Sequence, residues 1–330
     1  MKIGFTYDLK DQYLAEGYSP LAVAEFDKLE TIEGIERAIG LLGHQVVRIG
    51  KLDSLVKRLA AGERWDMVFN IAEGLRGPTR ESQVPALLEA YGIPTVFGDS
   101  LCLAVCLHKG HCKDIVRANH IPTPRFVVVE SPDADFRNIT LTYPLFAKPV
   151  AEGTGKGVSA AGKVMDPDSL RDVCLELLRR FEQPVLVEEF LPGREFTVGI
   201  VGTGPDARVL GAMEVLLLGN AEPEIYSYDN KDNYEDRVEY SLLEPGPELR
   251  AAGEIALESY RALGCRDAGR IDIRCDANGD PQFIEANPLA GLNPEHSDLP
   301  ILCRLLGIGY DQLVADILVS AMKRIRHGVR

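Results

Sequence analysis

The sequence lacks a long apolar run: the longest, 101–107, is far shorter than the ~20 residues that span a bilayer. Residues 1–8 contain no signal-peptide core before the chain turns polar. The seven cysteines are odd in number and include no Cys-x-x-Cys pair. We therefore expect a cytoplasmic protein with free thiols and no membrane partner.

The chain also lacks net positive charge. It contains 36 Lys and Arg against 50 Asp and Glu, which gives a formal charge of −14. Nucleic acids and anionic membranes both require a cationic surface, so we expect neither as a partner. An anionic ligand must then be bound by a few locally placed cations. The 330 residues, 45% of them apolar, are enough for two or three folded domains at ~150 residues each.

The first hundred residues alternate short apolar strands with helices. We predict strands at 2–7, 45–49, 66–71 and 94–97, and a helix at 31–42 whose isoleucines recur at helical spacing. Strands that alternate with helices are typical of a parallel sheet covered on both faces. Farther along, the pattern predicts further strands and helices at 126–129, 144–149, 167–181, 184–189 and 310–324.

The Asn-Gly pair at 278–279 lies between two alternating runs and predicts a β-hairpin. With that pair at the turn, Asp272 lies opposite Glu285 and Arg270 lies opposite Asn287, all on one face. The other face takes Ile271, Ile273, Ile284 and Ala286. A charged face is often simply solvated, but acid opposite acid is destabilising unless a cation lies between them. Carboxylate and amide oxygens that converge in this way predict a Mg²⁺ or Mn²⁺ site.

A glycine-rich loop follows Lys148, with three glycines in 153–157. Bare backbone amides can approach a phosphate closely, so this loop predicts phosphate binding. It is not a Walker A loop, because Val150 and Gly157 stand where that motif has Gly and Ser or Thr. Next, an apolar strand reaches Glu188 and Glu189 before a Pro-Gly turn. The pattern alone leaves open a nucleotide-binding hinge or a plain hairpin with charged ends.

Metal-ligating residue types also cluster in one short segment: Cys102, Cys106, His108, His111 and Cys112. We predict one helix over 99–119, on which these cysteines and both histidines do not share one stripe. Small buried thiols are therefore the expected interpretation here, and not a metal site.

Together these stretches resemble the ATP-grasp superfamily, and within it the D-alanine–D-alanine ligase family. The resemblance rests on Arg270-x-Asp272 followed by Glu285-Ala286-Asn287-Pro288-x-x-Gly291-Leu292. It implies an α/β and α+β ATP-grasp fold. A Rossmann-like parallel-sheet domain would occupy 1–105, a central ATP-grasp subdomain 106–195, and a C-terminal subdomain with the metal site 196–330.

The resemblance also implies roles for individual residues. Asp272, Glu285 and Asn287 would hold two Mg²⁺ ions, with Mn²⁺ as an alternative, and Arg270 and the Gly291 amide would form the oxyanion hole. Ser297 would hold the carboxylate of the second substrate. The residues implied for ATP are Lys109, Lys148, Gly153, Thr154, Gly155 and Gly157 around the phosphates, Glu188, Glu189 and Leu191 at adenine, Glu195 at ribose, and Lys231 at the γ-phosphate.

The sequence departs from the family pattern on the amino-acid side. Residues 72–82 lack the usual His-Gly and Gly-Glu-Asp-Gly, and Asp232 replaces a tyrosine. The nearest candidate for an early Glu-Val-Ser triplet is Glu30-Thr31-Ile32. Arg80 would serve either as a carboxylate ligand or as a surface arginine at a helix start.

The resemblance implies an ATP-dependent ligase that joins two small amino acids through an acyl phosphate, with D-alanine as the first candidate. The alternatives are a ligase for a different pair and, less favoured because the metal motif is intact, a silent nucleotide-binding regulator. Residues 153–157 and 226–237 are candidate lids over the water-labile intermediate. The family likeness suggests a homodimer.

Overall fold

The computed structural model describes residues 1–326. Its N-terminal region contains a parallel sheet of three strands in the order β2-β1-β3. The elements of this region are β1 (Lys2–Thr6), α1 (Lys10–Ala15), α2 (Leu29–Leu41), β2 (Gln45–Gly50), α3 (Leu52–Ala60), β3 (Met67–Asn70), α4 (Gln83–Ala90) and α5 (Ser100–Leu107). The predicted strand at 94–97 is wrong, because only Thr95 pairs, in a single bridge to Val68. Phe97 has a φ of 72°, which ends the extended backbone.

A four-stranded antiparallel sheet of order β4-β7-β5-β6 follows, packed against one long helix. Its region contains α6 (Lys109–Ala118), β4 (Phe126–Val129), β5 (Leu145–Pro149), β6 (Lys163–Val164), α7 (Pro167–Phe181) and β7 (Val185–Glu189). The single helix predicted over 99–119 is wrong, because His108 has extended backbone and separates α5 from α6. Its Nδ1 accepts a hydrogen bond from the His111 amide at 3.1 Å and so caps α6.

The last sheet is antiparallel, with five strands in the order β10-β9-β8-β11-β12. The elements are β8 (Glu195–Val201), β9 (Arg208–Leu217), α8 (Tyr228–Asp232), α9 (Tyr234–Arg237), β10 (Val238–Leu242), α10 (Pro247–Ala262), β11 (Ala268–Cys275), β12 (Pro281–Asn287), α11 (Asp298–Leu305) and α12 (Tyr310–Arg326). Because β7 and β8 belong to different sheets, the Pro-Gly turn between them is a connection between sheets. The plain-hairpin alternative is therefore wrong.

The largest buried core joins the two ends of the chain. Ile3 and Phe5 of β1 and Ile35 of α2 are buried in one apolar cluster with Leu313 and Ile317 of α12. The last helix therefore packs on the N-terminal unit. The predicted division at 105 and 195 stays a prediction, and α5 runs across the first of these positions.

No single helix in residues 1–326 has the length and apolar character needed to cross a membrane. By length and composition alone, α11 and α12 meet that test only as a pair, which is bent by 113°.

Candidate active site

The β11-β12 hairpin places the predicted polar residues on one face. Asp272 pairs with Glu285 and Arg270 pairs with Asn287, so the register predicted at the site is confirmed. The turn itself is longer than predicted: it spans 276–280, where Asp276 Oδ1 accepts the amides of Asn278 and Asp280. A bulge between Asp272 and Ile273 offsets this difference and restores the register.

The bulge also changes which apolar residue of β12 faces the core. Phe283, and not Ile284, pairs with Ile273 and is fully buried. Ile284 instead lines the cleft beside Glu285. The prediction that Ile284 lies on the core face is therefore wrong, because a bulge reverses the alternation of faces beyond it.

The Asp272 carboxylate is buried and hydrogen-bonded on both oxygens. Arg270 Nη1 donates to Oδ1 at 2.6 Å, Thr197 donates to the same oxygen at 3.1 Å, and the Asn287 amide donates to Oδ2 at 3.2 Å. Burial raises the pKa of Asp272 to about 6, an effect that Arg270 opposes and the Glu285 charge reinforces.

Glu285 has the opposite electrostatic environment. Burial alone would raise its pKa, but the ammonium groups of Lys109, Lys148 and Lys231 hold it well below its usual range. The Lys109 Nζ lies 3.5 Å from Oε2. Ionised carboxylate and amide oxygens on one strand pair are the hard ligands that Mg²⁺ prefers, so this donor set fits a magnesium site.

Two adjoining cavities open onto this hairpin. The larger, about 320 Å³, reaches from the N-terminal unit to Arg270 and Ser297, and the narrower, about 90 Å³, lies between the two antiparallel sheets. Both are lined by five common residues: Lys109, Glu152, Tyr226, Lys231 and Glu285. The metal, ATP, oxyanion and second-substrate residues implied by the resemblance all line one of the two cavities except Gly157, whereas the further candidates Glu30 and Arg80 line neither.

The narrow cavity contains the residues expected at the nucleotide. The Glu188 carboxylate lies between two lysines, 2.8 Å from Lys113 Nζ and 2.7 Å from Lys148 Nζ. Both partners lower the pKa of Glu188 to about 2 against the effect of burial. Glu188 therefore orients Lys148 at the end of β5. Farther along the same wall, Glu195 pairs with Arg274 at 3.2 Å.

The glycine-rich loop is held in contact with the segment 226–237. Gly157 has a φ of 74°, and a Cβ there would lie 2.5 Å from Pro149 Cγ, so only glycine fits. A Cβ on Gly155 would lie 3.0 Å from the Tyr228 amide nitrogen. That amide donates to the Val158 carbonyl at 3.3 Å. The two segments predicted as lids thus meet over the cleft.

An ion-pair network that the sequence did not reveal connects this loop to the N-terminal unit. Arg80 Nη2 lies 2.8 Å from Glu25 Oε2, and Lys156 Nζ lies 3.1 Å from Glu25 Oε1. The Gly153 amide also donates to Glu25 Oε1, at 2.7 Å. Arg80 is buried, with Nη1 donating to the Ala151 carbonyl at 2.6 Å, so its interpretation as a surface arginine is wrong.

The far end of the larger cavity is built around Gly291. A Cβ at Gly291 would lie 2.7 Å from Ser297 Oγ, so the two predicted residues are packed together. Asp298 contacts Arg270 at 3.4 Å and accepts a hydrogen bond from the Tyr226 hydroxyl at 3.2 Å. No sequence pattern marks Asp298, which follows the motif residues, so it was not predicted as a site residue.

Of the triplet predicted at 30–32, only Thr31 lines the larger cavity. Glu30 is exposed and lies outside the cavity lining, whereas Asp27 and Thr31 belong to it. Glu73 and Glu81, from the segment that departs from the family pattern, also line this wall. The side chain of Asp232 lies outside the described residues.

Comparisons with known proteins identify the family of the chain. The family model "D-ala D-ala ligase C-terminus" matches residues 115–319. The D-alanine–D-alanine ligase of Cupriavidus necator is 32% identical over 275 residues, 82% of this chain and 79% of that protein. D-alanine–D-alanine ligase B of Chromobacterium violaceum is 31% identical over 78% of this chain and 80% of its own length.

Solved structures show the same fold at lower identity. The D-alanine–D-alanine ligase from Bacillus anthracis, complexed with ATP, superposes with a TM-score of 0.74 at 22% identity, covering 99% of both chains. The VanG D-Ala:D-Ser ligase from Enterococcus faecalis gives 0.74 at 20% identity over 97% of this chain and 99% of its own. The chain therefore belongs to the D-alanine–D-alanine ligase family, the ATP-grasp enzymes that form a carbon–nitrogen bond.

Proposed function

We propose that this chain joins two amino acids, with D-alanine and D-alanine as the first candidate pair, at the expense of ATP. The observation that carries the proposal is the convergence of the predicted metal, phosphate and oxyanion residues around two joined cavities. The relatives named D-alanine–D-alanine ligase support the pair of substrates.

In this proposal the narrow cavity takes the nucleotide. Lys109, Lys148 and Lys231 supply the positive charge around the phosphates, so a chain of net charge −14 can still bind this anion. Leu191, Phe190 and Ile284 supply apolar contacts for the base. The cavity of about 90 Å³ is below the ~300 Å³ of typical ligand pockets, so the two lid segments must separate for ATP to enter.

Asp272, Glu285 and Asn287 would hold Mg²⁺, in two ions as the family likeness implies. When bound, the metal supplies charge neutralisation between phosphate oxygens. The remaining contributions come from the chain itself. Lys231 reaches both cavities, where its charge can stabilise the phosphoryl group as it passes to the first substrate's carboxylate.

The resulting acyl phosphate is then attacked by the amine of the second amino acid. Arg270 and the Gly291 amide would stabilise the oxyanion of that step, a type of contact whose loss typically lowers the rate by ~100–1000-fold. Ser297 would orient the second carboxylate. The contact between the glycine-rich loop and 226–237 would exclude water from the labile intermediate.

A different amino-acid pair is the second candidate, and one observation favours it. The N-terminal wall of the larger cavity holds Asp27, Glu73 and Glu81, whose pKa values are raised by burial, to about 8 for Asp27, so that a cation placed beside these carboxyl groups would ionise them. Such a wall favours a substrate with a cationic side chain over an apolar one. The VanG D-Ala:D-Ser ligase, which shares this fold, is named for a different second substrate.

The deciding experiment is a substrate screen with ATP, Mg²⁺ and pairs from a panel of D- and L-amino acids that includes basic ones. Phosphate release and product mass are measured together. D-alanine-dependent release with the mass of the D-alanyl dipeptide supports the first candidate, and release only with another pair supports the second. No release with any pair would exclude ligase activity and leave the nucleotide-binding regulator.

We also propose that the protein acts in the cytoplasm as a homodimer, as the family likeness implies. All seven cysteines are unpaired and buried, which is typical of proteins in a reducing compartment. Sedimentation analysis of the purified chain tests the oligomeric state, and a monomer at micromolar concentration would refute that part.

A further inference from the structure

Three buried thiols converge at the junction between the N-terminal unit and the C-terminal sheet. Cys102 and Cys106 lie four residues apart on α5, and Cys265 follows α10. Their Sγ atoms all lie within 4.8 Å of one another, and the Cys102–Cys265 separation is 3.9 Å. Each residue is no more than 4% exposed. Cys112 of α6 is buried in the same core cluster and its thiol contacts Cys106.

The helix break at His108 makes this convergence possible. Cys102 and Cys106 share one face of α5 because residues at i and i+4 are neighbours on a helix. The chain then turns before α6, which brings Cys112 back toward Cys106. The histidines are not part of the group: His108 and His111 stack on each other with ring centroids 3.9 Å apart. An unbroken helix would have separated Cys112 from the other thiols.

We propose that Cys102, Cys106 and Cys265 bind one zinc ion or a similarly soft divalent cation, with Cys112 placed to supply the fourth ligand. Zn–S bonds of ~2.3 Å in a tetrahedron place sulfur atoms ~3.8 Å apart, close to the Cys102–Cys265 separation of 3.9 Å. Thiolates select soft metals, whereas the Asp272–Glu285 face offers only hard oxygens. The two sites would therefore not compete for one ion.

The surroundings of Cys102 favour the thiolate that a metal requires. Its amide donates to the capping Asp99 carboxylate at 2.8 Å in the first turn of α5, where the helix dipole favours negative charge. Arg266, which pairs with Asp99, adds a positive charge next to Cys265. Metal binding would release the thiol protons to solvent.

The proposed ion would connect parts of the chain that are far apart in sequence. Cys265 directly precedes the strand that carries Arg270 and Asp272, while α5 closes the N-terminal unit. A metal here would stabilise the junction between these units without touching ATP or amino acids. The role is structural, so its test does not depend on the ligase activity.

The test is the zinc content of the full-length chain, purified without a metal-affinity tag and measured by mass spectrometry of the elements. We expect about one zinc per chain for the wild type, and less than about a tenth of that for C102S and C265S. Two buried cysteines outside the cluster provide matched controls, since C174S and C303S should retain the metal. Circular dichroism verifies that each variant folds.

Titration of the wild-type chain with Co²⁺ tests the site without any substitution, and so applies even where the serine variants do not fold. Wild-type chain stripped of metal is titrated with Co²⁺, and thiolate-to-cobalt charge-transfer bands are expected to saturate at one equivalent and to disappear on addition of Zn²⁺. Wild type that contains no zinc and gives no such bands would overturn the proposal. An equal zinc content in C102S and wild type would also overturn the proposal. So would an intact mass of the wild-type chain that is lower by two hydrogens, because that indicates a disulfide.

Discussion

The Arg270 guanidinium binds the Asp272 carboxylate, with Nη1 2.6 Å from Oδ1. One residue of this pair is the proposed oxyanion ligand and the other is a proposed metal ligand, so the two functions share an ion pair. Arg270 also lies 3.4 Å from Asp298, which gives it a second carboxylate to hold its position. A cation on Asp272 would therefore shift Arg270 toward Asp298 and the larger cavity.

Replacing Arg270 should separate these two functions. We expect Arg270→Gln to lower kcat by ~100–1000-fold, because the oxyanion loses its charged donor. Mn²⁺ affinity, measured by electron paramagnetic resonance, should be equal or higher, because the guanidinium no longer competes with the metal for the Asp272 carboxylate. Arg250→Gln, on the exposed face of α10, is the matched control. Weaker Mn²⁺ binding in Arg270→Gln would contradict this interpretation.

Removing the charge of Glu285 should abolish metal binding with the fold intact. Glu285→Gln keeps the shape of the side chain but removes a ligand charge, so we expect loss of Mn²⁺ binding and of phosphate release by at least ~100-fold. Glu239→Gln on exposed β10 should leave both unchanged. Unchanged turnover in Glu285→Gln would refute the metal-binding face.

The glycine-rich loop should not tolerate a side chain at Gly157. Gly157→Ala combines a φ of 74° with a Cβ placed 2.5 Å from Pro149, so we expect ~1–3 kcal/mol less unfolding free energy and a raised KM for ATP. Gly219→Ala is the control, because a Cβ there meets no atom within 4 Å. Equal effects of the two substitutions on urea unfolding would show that the close approach to Pro149 is unimportant.

The Glu25 network should contribute more to stability than an exposed ion pair. Glu25→Gln leaves Arg80 and Lys156 buried without their shared carboxylate, a change that typically costs ~3–5 kcal/mol. Asp311→Asn breaks an exposed pair with Arg37, for which we expect at most ~1 kcal/mol. Urea unfolding measures both. A Glu25→Gln variant as stable as Asp311→Asn would count against the connection between loop and N-terminal unit.

Acid stability should depend in part on Glu188. Lys113 and Lys148 lower its pKa from 4.5 to about 2 against the effect of burial, so this carboxylate stabilises the folded state above pH 4.5. That contribution is lost as the pH falls from about 4.5 to about 2. We therefore expect the unfolding free energy of Glu188→Gln to change less between about pH 5 and about pH 3 than that of wild type. The exposed Glu254→Gln should follow wild type.

The sequence predicted the pairing of Asp272 with Glu285 because strand alternation and hairpin pairing are local rules. Asp272 opposite Glu285 follows from the Asn-Gly signal, although the turn is longer than that signal implies. The bulge that compensates for it has no signature in the sequence, because Phe283 and Ile284 are equally apolar. Which of them packs in the core depends on neighbours distant in the chain.

Long-range contacts explain the other differences between sequence and structure. Glu25 and Arg80 are brought to Lys156 by the packing of separate units, so no spacing rule indicates their network. Cys265 likewise reaches Cys102 across 163 positions. The break at His108 is local, but histidine is tolerated within helices, so the sequence gives no strong signal for it.

The contact between Tyr228 and Val158 has a kinetic consequence. In the proposed reaction, the nucleotide product would leave only after the glycine-rich loop and the segment 226–237 have separated. The opening rate of this contact would then be an upper limit on turnover, however fast the bond-forming step becomes. Viscosity would slow such a step, whereas it would leave a purely chemical barrier unchanged.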